Sequence, residues 1–351
     1  MKIPDMHPSI PSAPESDPER GHTSRTSRLA GTDLNLPQLG ISLASATDDA
    51  LHNQQNFTLF DEGINCPVSA VDTGFVNSQQ QHSDIFQSRR GFRNNPTGAI
   101  TLRRIGLDDI RQAAEGIHSS QIDYAGVIKA FRKLRISPEA GQSTIVLLDG
   151  CATLSRPDLN NELHFSVAME GGLKALQELK RDGEIAAYGF VSDYAEYCQR
   201  ALLAGDWDLF VLNHRYTLLE QWPLFNLLPE CKASNTAIVV GNPFNSGVLR
   251  GEPSWNFSPP PDFVKARIEN IAHVCALHQI PMEAAALQFP LAHPIVPSIL
   301  VRAPSVAAQK QMYSWLHHPI PDSFWDDLKL AGVMHEEAPV PQQPPNFKAV
   351  G

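Results

Sequence analysis

The chain has 351 residues, 42% of them apolar, and a formal net charge of −10, enough for one barrel-sized core or two modest ones. Lys and Arg never cluster beyond a pair, which excludes nucleic acid as a partner, and no apolar run reaches the roughly 18 residues that cross a bilayer. The five cysteines are scattered and never form Cys-x-x-Cys, so free thiols in a reducing, cytoplasmic setting are expected, with neither a disulfide framework nor a zinc site.

Residues 1–35 are rich in Pro, Ser, Arg and Asp with few large apolar side chains and are predicted to be a disordered arm. Strands and helices then alternate over 36–335, and 336–351 is a Pro-rich tail. In chain order the predicted strands are LGISLAS, VSAVDTG, GAITLRR, STIVLLD, AAYGFVS, LFVLNHR, AIVVGNP and PSILVRA. The predicted helices are DYAGVIKAFRKL, FSVAMEGGLKALQELKRDG, AEYCQRALLAG, DFVKARIENIAHVCALHQI and FWDDLKLAGV. Lys180 and Arg181 in a last turn, with Gly183 just past it, make a proper helix stop. Eight strands separated by helical patterns point to an α/β fold, a (β/α)8 barrel; an open doubly wound sheet is the alternative, weakened because no G-x-G-x-x-G follows a strand.

The run from Thr144 to Leu148 reads as a parallel strand covered on both faces, and it stops at Asp149-Gly150. In parallel α/β folds ligands bind at the carboxyl ends of the strands, so this carboxylate is a candidate for chemistry. Asp-Gly is also a common turn pair, and the local sequence leaves both readings open.

The segment from Met169 to Gln221, with VVGNPFNSGVLRG, PMEAAALQFPLAHPIVPSIL and HPIPDSFWDDLKLAGV, resembles the aldo/keto reductases, and within them the sugar 1-dehydrogenase branch acting on D-threo-aldoses, L-galactose and D-arabinose. The resemblance is strong over 169–340 and patchy before Ile145, where it rests on AVDTG and TLRRIGLDD. It implies the same barrel, with NAD(P) extended across the carboxyl end of the strands and a small carbonyl or lactol as substrate. It also implies a set of four residues: a Tyr that exchanges the proton, a Lys paired to an Asp that tunes the Tyr, and a His that orients the substrate oxygen. Carried onto this sequence the Asp is Asp72, but Asn77 stands at the Tyr, Arg104 at the Lys and Asp149 at the His. A carboxamide exchanges no proton at accessible pH, and an Arg does not deprotonate.

On the cofactor side the resemblance implies that Tyr216 stacks on the nicotinamide, that Asp193 takes its amide, and that Gly241, Asn242, Pro243, Phe244 and Ser246 run along the pyrophosphate. Arg302 and Pro304 stand where the family keeps a Gly and an Arg, so Arg302 is the remaining phosphate partner. Two functions follow as expectations: an NAD(P)-linked oxidoreductase with altered acid/base groups, or a redox-silent barrel with weak or absent cofactor affinity that cyclises, isomerises or dehydrates a small molecule, or only binds one. His82 is a candidate substitute acid/base, His293 a packed histidine, His317-His318 a loop pair and not a metal site, and the tryptophans core or pocket wall, with Trp255 the candidate to line a cleft. A monomer or dimer is expected.

Overall fold

The structure is a computed structural model and describes residues 26–29, 31–42, 70–72, 99–113, 121–133, 142–149, 161–303 and 305–342. An antiparallel hairpin, β1 (Thr26–Arg28) and β2 (Asn35–Pro37), opens it. The strands that follow are β3 (Leu39–Ser42), β4 (Ala70–Asp72), β5 (Ala99–Ile105), β6 (Gln142–Leu148), β7 (Ala187–Ser192), β8 (Leu209–Asn213), β9 (Ala237–Gly241) and β10 (Ser298–Val301). These eight are parallel neighbours in chain order, and β10 pairs with both β9 and β3, closing the barrel. Six fall inside the predicted strands, β5 runs one residue past its segment at Ile105 and β6 starts one before at Gln142, and the closure rules out the open doubly wound sheet.

Alternation along the strands divides the core in two. Ile100, Leu102, Ile145, Leu147, Ala187, Val191, Leu209, Val211, Ala237, Val239 and Leu300 form one buried cluster, the barrel interior. The intervening residues, among them Val146, Leu148, Phe190, Phe210, Leu212, Val240 and Val301, pack outward in a second cluster with the helices.

Those helices are α1 (Leu107–Ala113), α2 (Tyr124–Lys133), α3 (Asn161–Val167), α4 (Leu173–Arg181), α5 (Ala195–Ala204), α6 (Leu227–Ala233), α7 (Asp262–His278), α8 (Met282–Leu291), α9 (Val306–Leu316) and α10 (Asp322–Leu330). A single π turn, Ala168–Gly172, joins α3 to α4. The predicted stop of α4 is present: Gly183 is left-handed (φ +76°) and the N–H of Glu184 returns to the carbonyl of Leu179. None of the helices among the described residues is long and apolar enough to cross a membrane.

The disordered arm expected over 1–35 needs correcting at its end. Leu29, Leu34 and Leu36 are buried and belong to the interior cluster, so the β1–β2 hairpin closes the amino-terminal mouth of the barrel. Three leucines spaced among Arg, Thr and Asp give no run for a sequence reading to register, yet three are enough to cap the ring. Among the tryptophans, Trp207 and Trp325 are core residues as expected, whereas Trp222 is 70% exposed. Cys198, Cys231 and Cys275 are free and buried; Cys66 and Cys151 lie outside the described residues.

Candidate active site

The inward alternation continues past the last apolar layer. Two residues beyond Leu102, Leu147, Val191, Val211, Val239 and Leu300 come Arg104, Asp149, Asp193, Asn213, Gly241 and Arg302, so the carboxyl mouth is polar where the interior is apolar. Arg104 donates to Asp149 at 2.8 Å, the two side chains being 9% and 8% exposed. The N–H of Asp149 donates to the carbonyl of Ile105 at 3.0 Å, so Asp149 extends the β5–β6 ladder; Gly150 lies outside the described residues. On the next strands Asn213 Nδ2 donates to Asp193 Oδ1 at 3.0 Å, and both residues are buried. Gly241 is required beside them, because a Cβ there would overlap Asn213 Oδ1.

The loops after β8 and β9 hold a concentration of left-handed residues: His214, Tyr216, Asn242, Asn245 and Ser246 all have positive φ. Such backbone persists where surrounding contacts over-determine it. His214 is 2% exposed, with Ser246 Oγ 3.5 Å from its Nδ1 and the Phe257 ring edge-on at 5.5 Å. Burial lowers its pKa to about 4, opposed by the nearby Asp193 carboxylate, so at neutral pH it is an uncharged imidazole.

Sequence reasoning gave no weight to Glu220. Its carboxylate accepts from Arg215 Nη1 at 2.8 Å, Asn245 Nδ2 at 3.1 Å and Trp255 Nε1 at 3.0 Å, joining three segments of the mouth. The donors come from as far as 35 residues away, so no local pattern marks it.

Among the sequence candidates, Asp72 ends β4 at the register position of Leu102 and Ser42. Asn77, His82, Pro304 and the whole of 73–98 lie outside the described residues. Tyr216, the candidate for the nicotinamide stack, is turned inward. Its ring is covered, 5.4 Å from Phe289 and 5.5 Å from His293. Pro243 and Phe244 are likewise turned inward, while Asn242 is exposed, Ser246 half-buried and Arg302 exposed just past β10. His293 packs as expected, and His317 lies on the ring of Tyr313. No metal-binding group of His, Cys, Asp or Glu occurs among the described residues. Trp255 is half-buried and edge-on to Phe263.

For a nicotinamide nucleotide this donor set fits in part. Arg302 and the amino end of α9, capped by Ser305 Oγ on the N–H of Ala308, offer positive charge for phosphate. Asn242 and Ser246 offer polar groups beside them, and Asp193 and Asn213 an amide partner.

The model of the family described as the aldo/keto reductase family matches residues 149–331. The match begins at Asp149, so Asp72 and Arg104 precede it. Pyridoxal 4-dehydrogenase of Microbacterium luteolum is 30% identical over 216 residues, 60% of this chain and 63% of that protein. D-threo-aldose 1-dehydrogenase of a Pseudomonas species is 34% identical over 173 residues, 48% of this chain and 53% of that protein. The chain therefore matches less than two thirds of the length of either relative. Among solved structures, an aldo-keto reductase from Bacillus halodurans in its holo form has a TM-score of 0.66 at 18% identity, over 92% of this chain and 99% of that one. One from Klebsiella pneumoniae in complex with NADPH has a TM-score of 0.57 at 16% identity, over 92% and 100%. These likenesses carry the barrel, and the family model, which spans more than half of the chain, carries the rest: the chain belongs to the aldo/keto reductase family.

Proposed function

We propose that this chain is a nicotinamide-nucleotide-linked oxidoreductase acting on a small polar carbonyl or lactol, with acid/base groups unlike those usual in its family. The observation that carries the reading is the buried Arg104–Asp149 pair at the mouth, where the family resemblance places a Lys and a His. Two dehydrogenases among the curated relatives and an NADPH complex among the structural neighbours support it. A bound nicotinamide supplies hydride chemistry; Arg302, Asn242, Ser246 and Asp193 are the residues to hold it.

The chain's own groups do the rest. Arg104, permanently charged, donates to the substrate oxygen and stabilises negative charge there. Asp149 holds that guanidinium in place and is the carboxylate able to take the hydroxyl proton of a lactol. A carboxylate set against a permanent cation serves as proton acceptor in this reading, so oxidation of the lactol is the favoured direction.

The covered ring of Tyr216 favours a second reading, a redox-silent barrel that uses the same mouth for a non-redox step or for binding. Titrating NADPH and NADH against tryptophan fluorescence separates the two. Saturable binding in the micromolar range, with reduced nucleotide formed from NADP⁺ or NAD⁺ on adding an aldose or pyridoxal, supports the oxidoreductase; no binding up to millimolar nucleotide overturns it.

A further inference from the structure

The segment from Glu252 to Pro261, EPSWNFSPPP, leaves the β9 loop and returns to α7. Trp255 and Ser258 exchange backbone hydrogen bonds at 2.7 and 3.0 Å, and the two residues between them, Asn256 and Phe257, are both left-handed (φ 48° and 65°). That is the backbone of a two-residue type I′ hairpin turn, whose second position favours Gly. Here it carries Phe, in a conformation that bulky residues avoid. Contacts outside the turn must hold it.

Three such contacts are present, all on the loop after β8. Trp255 Nε1 donates to Glu220 Oε1 at 3.0 Å, Arg215 Nη1 lies 3.4 Å from Asn256 Oδ1, and the Phe257 ring meets His214 edge-on at 5.5 Å. Glu220 stands behind two of them, because the Arg215 group that reaches Asn256 is itself held by Glu220 Oε2 at 2.8 Å. Its backbone is locked to Thr217 in both directions: Thr217 Oγ1 accepts from the N–H of Glu220 at 3.1 Å, and the carbonyl of Glu220 accepts from the N–H of Thr217 at 2.7 Å.

We propose that Glu220 is a positioning residue, a carboxylate clasp that pins the Trp255–Ser258 hairpin over the end of β8 so that Phe257 covers His214 and the hairpin forms one wall of the substrate entrance. Phe257 is 48% exposed, and Phe263, edge-on to Trp255, is 71% exposed, so this wall presents aromatic surface to what enters. The clasp sets the width of the entrance, and with it the size of substrate that reaches Asp193 and Asn213. The part of the proposal concerning substrate rests on the oxidoreductase reading; the clasp itself does not.

The test uses the full chain and iodide as quencher. For wild type and for Glu220→Gln, the signal of Trp255 is isolated by subtracting the matching Trp255→Phe protein. Release of the hairpin is expected to raise iodide quenching of Trp255 about fivefold in Glu220→Gln, with the melting temperature little changed. Unchanged quenching of Trp255 overturns the clasp. Should Glu220→Gln fail to fold, Arg215→Met, which removes the link to Asn256 and the ion pair with Glu220 but keeps the bond from Trp255 to Glu220, is expected to give a smaller rise, and no rise there is equally fatal. The second arm is kinetic. With an aldose that wild type turns over, Glu220→Gln is expected to raise KM about tenfold with kcat nearly kept, since the hairpin shapes entry and touches no reacting atom; equal loss in kcat overturns the positioning role. If wild type binds no NADPH, the oxidoreductase reading falls while the quenching arm still decides the clasp.

Discussion

Arg104 and Asp149 lie on neighbouring strands 45 residues apart in sequence and meet at 2.8 Å with less than a tenth of either side chain exposed. Asp149→Asn keeps the shape and removes the charge, leaving Arg104 buried without that carboxylate. The expected cost is about 3 kcal/mol, read as a lower denaturant midpoint. The double change Arg104→Met with Asp149→Leu is expected to recover most of that stability while abolishing turnover or binding. Full activity in Asp149→Asn would remove the pair from the site.

Gly241→Ala tests the close approach of β8 and β9. The added methyl group would displace the Asn213 amide and its bond to Asp193, two groups already buried. A loss of about 2 kcal/mol is expected, together with weaker nucleotide binding, whereas Asn242→Gly on the exposed, left-handed neighbouring residue should leave stability almost unchanged.

His214 gives stability a pH dependence of definite sign. Burial lowers its pKa from 6.5 to about 4, so between those values the unfolded chain takes up a proton that the folded chain refuses. Stability present at neutral pH is therefore lost as pH falls from about 6.5 towards 4, by up to roughly 3 kcal/mol. His293, also lowered to about 4, acts in the same direction from a more exposed position, while Glu220, raised by burial, runs the other way. Melting temperatures of wild type and His214→Asn across this range check the claim: Asn suits the left-handed backbone at 214, and the variant should show the flatter profile.

Phe257→Gly separates backbone ease from surface. With glycine following Asn256, the turn would adopt its left-handed conformation without the crowding that Phe suffers, so thermal stability should hold or rise slightly, while covering of His214 by the aromatic ring is lost. A His214 ring more reactive to diethyl pyrocarbonate, in a protein as stable as wild type, is the expected signature. A large drop in stability would mean that the ring contact outweighs the strain.

The strands β6, β8 and β9 were legible because a parallel strand buried on both faces is written as an apolar run, whereas β5, with Arg103 and Arg104, and the three-residue β4 were placed by their motifs. Several helices were not, each for its own reason. In α8 the residues Ala284 to Leu287, Phe289 and Pro290 are all buried, so it has no polar face to give it a period. The helix α1 follows β5 after one residue and merges with the motif TLRRIGLDD, and α6 is a seven-residue element with a Pro in its first turn. At the site, the polar residues at strand ends could be named from sequence. Their pairing could not: Arg104 with Asp149 and Asp193 with Asn213 depend on register between strands, and two of the three donors of Glu220, Asn245 and Trp255, depend on where later segments come to rest. For Tyr216 the motif was plain in the sequence, whereas its left-handed backbone and the contact of its ring with Phe289 of α8 were not.

The seam of the barrel joins its first strand to its last, Ile41 opposite Val301. During synthesis, therefore, β3 can meet β4 early but must wait for the chain through β10 to leave the ribosome before its other neighbour exists. Until then the growing sheet has two open edges, at β3 and at the newest strand, both made of apolar residues. A ribosome stalled anywhere between β4 and β9 would release a chain that cannot shield those edges by itself, and damage near the carboxyl end, around Ser298 to Val301, would unmake the ring at a point far in sequence from the amino-terminal strand left exposed.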